Sequence, residues 1–221
     1  RTITGHNAKY VNSPQTKLFN KSRLLYGYHL AKEQIYKKNQ IIVCEGYLDV
    51  IMLHQAGFNT AVATLGTALT TEHLPLLRRG EPKVILAYDG DKAGLAAAFK
   101  ASVMLSQSEF EGGVIIFADG LDPADMVHNG KISELNEIFS NPISYIPYSI
   151  NYIVSKYDIN EPNQKQKALS EANEYLKTLS LLNQDEYKRY LAQKLNIREN
   201  LIKISSNKQR TYEPNLTKID I

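Results

Sequence analysis

Only one cysteine, Cys44, stands in 221 residues, which excludes disulfides within the chain and any cysteine-rich zinc site. Five histidines are scattered without ligand spacing, so no zinc is expected. No apolar run approaches the roughly 20 residues that cross a bilayer. The amino end, RTITGHNAKY, has neither an apolar core nor an initiating Met. These absences lead us to expect a soluble piece of a longer protein, with no membrane partner. Cys44 reads as a small buried strand residue in a reducing compartment. Internal repeats and low-complexity tracts are also missing.

A hydrophobic content of 43% is enough for a substantial core in one large or two small domains. Formal net charge is +3, but its distribution says more than its sum. Residues 1–40 carry eight Lys/Arg against one acid, Glu33; residues 41–130 carry five against eleven acids; residues 131–221 carry thirteen against eleven. A basic segment beside an acidic centre suits a metal-dependent enzyme acting on a polyanion. Lysines that coat a solvated face would give the same count.

The densest chemistry lies in Lys83–Asp91, KVILAYDGD. The apolar run Val84–Tyr88, between Pro82 and Gly90, reads as a strand buried on both faces, the habit of parallel sheets. Ligands in such sheets sit beyond the carboxyl ends of the strands, where Asp89 and Asp91 fall. The glycine between them frees the turn to aim both carboxylates at one hard cation. An EF-hand loop is excluded, because its fifth ligand position is Ala93 and its twelfth is Lys100. A lone Asp-x-Asp is equally compatible with two solvated loop acids.

The rest of the chain decides. Arg1–Asn20 has turn chemistry at Asn12-Ser13-Pro14 and predicts loops with a short strand. Helical spacing predicts a helix over Ser22–Lys38. Ile41–Glu45 is a second buried strand ending in an acid, followed by a helix over Leu48–Ala56 stopped by Gly57. Thr60–Ala63 reads as a strand, Leu65-Gly66-Thr67 as a loop and Thr71–Arg79 as a helix. Lys92–Gln107 reads as an alanine-rich helix and Val114–Ala118 as a fourth strand. Beyond Gly130 the pattern is helical alone. Stripes at Ile143, Ile146, Ile150, Ile153, Val154 and Tyr157, at Ala168 to Leu179, and at Tyr187, Leu191 and Leu195 are bundle faces. Asn207–Ile221 is expected to be mobile.

Strands alternating with helices predict a parallel sheet whose carboxyl ends share one edge. Glu45, Asp89, Asp119, Asp122 and Asp125 should meet there, with Asp49 one helical turn after Glu45. Such a cluster is hard to keep ionised without cations.

Glu45-Gly46-Tyr47-Leu48-Asp49, Thr64-Leu65-Gly66-Thr67, Tyr88-Asp89-Gly90-Asp91-Lys92-Ala93-Gly94 and Asp119-Gly120-Leu121-Asp122-Pro123 together resemble the topoisomerase-primase (Toprim) domain. Within that superfamily the chain is similar to bacterial replicative primases. Lys9–Thr16, Phe19-Asn20-Lys21 and Leu25-Tyr26-Gly27 resemble the segment that precedes the Toprim domain in them. The likeness runs from Arg1 to Lys131 and is looser after Asn141.

The resemblance implies an α/β fold: a Toprim-type parallel sheet flanked by helices, preceded by a basic α+β segment and followed by a small helical bundle. Residues 1–40 would end the amino-terminal part of the polymerase core, 41–135 form the Toprim domain, and 136–221 form a helical subdomain with a mobile tail. It makes Glu45, Asp89 and Asp91 the catalytic acids and adds Asp49, Asp122 and Asp125 as metal ligands for two or more Mg2+ or Mn2+ ions. Asp122-Pro123-Ala124-Asp125 departs from the family's Asp-Pro-Asp, so the second acid is displaced by one residue or absent. Arg1, Lys9 and Lys21 match positions that contact template or nucleotide; Lys92, Gly66 and Thr67 join them as nucleotide-binding candidates. The implied activity is RNA primer synthesis on single-stranded DNA from ribonucleoside triphosphates, in the cytoplasm at the replisome. A replicative helicase would bind through a domain outside this chain. Other readings remain open: DNA cleavage, as in Toprim nucleases and topoisomerases, or non-catalytic nucleic-acid binding by a degenerate Toprim.

Overall fold

The computed structural model describes residue 16 and residues 19–117 and 121–204. The expected strand near the amino end and the carboxy-terminal tail lie outside the described residues.

Short apolar runs rich in β-branched residues form the strands. β1 (Gln40–Cys44), β2 (Ala61–Ala63), β3 (Lys83–Asp89) and β4 (Gly112–Phe117) pair in parallel, in the order β2-β1-β3-β4. Register is fixed by pairs such as Cys44 with Ala87 and Asp89 with Phe117. Alternate residues face opposite sides, and both sides are covered. Ile41, Val43, Val84, Leu86 and Val114 join one core, while Ile42, Cys44, Ile85, Ala87 and Ile115 join the other. Cys44 is buried and free, as expected.

α1 (Tyr28–Lys38) and α4 (Lys92–Gln107) supply the first core; α2 (Tyr47–Gln55), α5 (Pro123–His128) and α6 (Ile132–Ser140) supply the second. The helix expected from Ser22 begins only at Tyr28, because Gly27, at φ 77°, turns the chain just before it. Tyr26 forms a β-bridge with Ala63 instead. The helix expected over Thr71–Arg79 is a 3-10 turn, Thr71–His73, followed by the short α3, Leu74–Leu77. Pro75 has no N–H to continue a helix through it, so the helix starts there.

After α6, the purely helical expectation fails at one place. Ile143–Ser144 is β5, antiparallel to β4, and Ile143 is 48% exposed rather than part of a helical stripe. Gly113 permits this pairing, since a Cβ there would lie 2.5 Å from the Ile143 carbonyl oxygen. α7 (Tyr145–Ser155), α8 (Pro162–Leu176) and α9 (Leu181–Leu195) then form the bundle. Ile146, Ile150, Ile153, Ala168, Ala172, Tyr175, Leu191 and Leu195 are buried there, in the same core as α4 and the sheet. No helix among the described residues is long and apolar enough to cross a membrane.

Candidate metal centre

Parallel pairing carries the ends of β1, β2 and β3 to one sheet edge, and the chain leaves each strand through an acid or a turn. Glu45 follows β1 directly, and its Oε1 accepts the Asp89 N–H at 3.2 Å, linking the β1 and β3 ends. Gly94 makes this approach possible: a Cβ there would stand 2.3 Å from the Asp89 carbonyl oxygen and 2.9 Å from Glu45 Oε1. Gly90 has an equally steric reason. Its Cβ would meet the Phe117 carbonyl oxygen at 2.2 Å, so it serves strand-to-strand contact as well as the turn.

Three helices start at this edge, each with an acid at its N-cap or in its first turn. Asp91 caps α4, accepting the Gly94 N–H at 2.7 Å; Asp122 caps α5, accepting the Asp125 N–H at 2.6 Å. In α2, Asp49 Oδ2 accepts the Gly46 N–H at 3.0 Å, and the Ala124 N–H also reaches the Asp49 carboxylate, joining α2 to α5. Acid side chains at these starts oppose the positive helix ends.

Burial and the charges of neighbouring acids act on this edge together. Burial, the Asp122 charge and then the Asp89 charge push Asp49 up to about 7 against the Gly46 N–H, although Ala124 also favours its ionised form. Burial first, then Asp89 and Asp91, raise Glu45. The thiol of Cys44, below the edge, is raised by burial and then by Asp49, Asp89, Glu45 and Asp122. Asp49 is buried, at 7% exposure, and Glu45 is half-buried.

The edge therefore brings together Glu45, Asp49, Asp89, Asp91 and Asp122. Asp125 is exposed and is absent from the charges that shift Glu45 or Asp49; it contributes its backbone N–H to the Asp122 cap. Asp119, Arg1 and Lys9 lie outside the described residues. Gly66 sits at φ 68°, a conformation that favours glycine, and Thr67 Oγ1 is buried without a hydrogen-bond partner. Lys92 is exposed at the start of α4. The carbonyl of Lys21 accepts from His73 Nε2 at 3.1 Å, while His73 Nδ1 accepts the Thr70 N–H at 3.1 Å. This anchor for the Lys21 segment has no sequence signal, because its partners lie 52 residues apart.

Among the described residues, no three His, Cys, Asp or Glu side chains are gathered as a ready-made metal-binding group. In donor type the edge nevertheless fits a hard divalent cation: all-carboxylate oxygen, with mutual repulsion that a cation would relieve.

The fold and this edge define the class. Residues 39–119 match the Toprim domain, residues 1–32 the N-terminal domain of the DNA primase catalytic core, and residues 148–200 the DnaB-helicase binding domain of primase. The chain is 57% identical over 192 residues to a DNA primase of Helicobacter pylori (strain ATCC 700392 / 26695), covering 87% of this chain and 34% of that protein. It is 44% identical over 206 residues to a DNA primase of Campylobacter jejuni, covering 93% and 34%. A solved DnaG catalytic core superimposes with a TM-score of 0.76 at 28% identity, covering 92% of this chain and 67% of that one. The DnaG primase catalytic domain bound to ssDNA gives 0.78 at 29%, covering 91% and 65%. The chain belongs to the DNA primase family and spans about a third of the length of the curated relatives it matches.

One expectation is corrected by these matches. The sequence resemblance implies a helicase-binding domain outside this chain, whereas the DnaB-binding model falls on 148–200, from within α7 to beyond α9. The catalytic-core match covers 92% of the chain, so these helices have counterparts inside a catalytic core as well. Toprim primase cores are metal-dependent as a class.

Proposed function

We propose that this chain is part of a primase that joins ribonucleotides into short RNA primers on single-stranded DNA. One observation carries the reading: carboxylates from the ends of neighbouring strands and the starts of three helices meet at one edge and raise one another's protonation. Bound there, two or more Mg2+ or Mn2+ ions supply the positive charge that offsets charge developing on the phosphoryl oxygens. Asp89, Asp91 and Asp122 would hold these cations, with Asp49 beside them on α2. Glu45, pushed up by burial, suits both cation binding and movement of a proton at its carboxyl. The Asp125 carboxyl lies outside this set.

Arg1, Lys9 and Lys21 form a phosphate track for the template, and Lys92, Gly66 and Thr67 contact nucleotide. In this reading residues 1–40 carry template, 41–135 carry chemistry and 136–221 carry the helical part with the helicase contact. The protein acts in the cytoplasm, at the replisome. A primer-synthesis assay with single-stranded DNA, ribonucleoside triphosphates and Mg2+ or Mn2+ tests it. The expected result is template-dependent RNA lost in Asp89→Ala. Scission of the DNA, or binding without synthesis by every form of the protein, would contradict it.

A further inference from the structure

The rings of Tyr26 and Tyr47 meet with centroids 4.9 Å apart and planes at 46°. They come from distant parts of the sequence. The Tyr26 N–H donates to the Ala63 carbonyl at 2.8 Å, and the Tyr26 carbonyl accepts the Ala63 N–H at 3.1 Å, which pins it at the carboxyl end of β2. Tyr47 opens α2, between Glu45 and Asp49. Both therefore stand on the sheet edge that holds the acids, and the Thr64–Thr67 loop leaves directly from Ala63.

Their surroundings differ from those of the packing tyrosines. Tyr88, Tyr145, Tyr148 and Tyr175 are at most 7% exposed, whereas Tyr26 is 37% exposed and Tyr47 half-buried, and neither belongs to either core. The pair sits outside both hydrophobic cores, at the sheet edge. At 46° the rings are tilted and do not cover each other as a parallel stack would.

We propose that Tyr26 and Tyr47 form a stacking platform for a nucleobase and hold it beside the carboxylates. This inference rests on the nucleotidyl-transfer reading and deepens it. Every base has a π-face, so such a platform grips without reading sequence. The base can belong to the template strand or to an incoming nucleoside triphosphate.

Two arms separate these sources, both using 2-aminopurine fluorescence: one with the fluorescent base inside a single-stranded oligonucleotide, the other with its riboside triphosphate plus Mg2+. Each is titrated with the native chain, Tyr26→Leu, Tyr47→Leu and the two Phe variants. Leu keeps apolar bulk and removes the π-face; Phe keeps the ring. The expected result is quenching by the native chain in one arm or both, which identifies the source. The Leu variants should lose the quenching and bind about ten-fold more weakly, and the Phe variants should keep both. The salt dependence of oligonucleotide binding should stay unchanged, since no charge is removed. Leu variants that quench and bind like the native chain would overturn the platform, as would Phe variants that fail as badly as Leu. A Leu variant with a lowered melting temperature leaves the decision to the Phe variant and to Tyr26→Trp, which must retain quenching. Salt-dependent binding by the native chain with no quenching in either arm refutes the platform alone. Binding of neither probe refutes the nucleotidyl-transfer reading as well.

Discussion

Asp49 concentrates the tension of the acidic edge in one side chain. Its carboxyl titrates near 4 in the unfolded chain and is pushed up to about 7 when folded, by burial first and by Asp122 and Asp89 after it. A raised folded value means that the folded chain holds its proton longer. Stability from this group is therefore full below about pH 4, falls as pH rises to about 7, and levels off above, by on the order of 4 kcal/mol at most. Asp49→Asn removes the charge and keeps an acceptor for the Gly46 N–H. Measured in chelator, its melting temperature should match native near pH 4, exceed it increasingly up to about pH 7 and keep that lead at higher pH. Parallel curves for the two proteins would refute this. At Asp125 the contrast is with its neighbour. Asp122→Ala removes both a carboxylate of the edge and the cap of α5, and should weaken Mn2+ binding at least ten-fold. Asp125→Ala should titrate Mn2+ like native; an equal loss in both would return Asp125 to the site.

At the scale of elements, the turn from β3 into α4 is the tightest joint. Gly94→Ala places a Cβ against backbone as well as against Glu45. It should cost about 2 kcal/mol in denaturant unfolding and abolish activity, whereas an unchanged midpoint would show that α4 is free to shift. This joint was legible in the sequence. Asp91 caps the helix one residue before Lys92, and the observed span Lys92–Gln107 agrees with the alanine-rich pattern. The strands were legible as short apolar runs, β1 leading into an acid and β3 ending in one. Two other elements were not. Pro75 hides a 3-10 turn inside an apolar periodicity that continues on both sides, and β5 is two residues long, too short for any alternation to register. The acids of the edge could be found from strand ends. The Ala124 N–H on Asp49 and the His73 anchor of Lys21 could not, because backbone donors and contacts far apart in the chain leave no local pattern.

At the scale of the whole molecule, a basic segment precedes an acidic edge along the chain. If the segment carries template phosphates, affinity for single-stranded DNA falls with salt at a slope of about −0.7 per neutralised phosphate. Lys9→Ala and Lys21→Ala should each reduce that slope by somewhat less than one unit and weaken all sequences alike. Superimposable salt slopes for native and variants would remove the segment from the template path.

The most direct test of the central claim is calorimetric titration of the chain with Mn2+, native beside Glu45→Gln, Asp89→Asn and Asp91→Asn. The acidic edge predicts saturable binding by the native chain, releasing protons near pH 6, and at least ten-fold weaker binding by each variant. Without metal, the variants should melt at or above the native temperature, because each loses a like charge from a crowded edge. Native-like Mn2+ binding by all three variants would show that these carboxylates do not form one metal site.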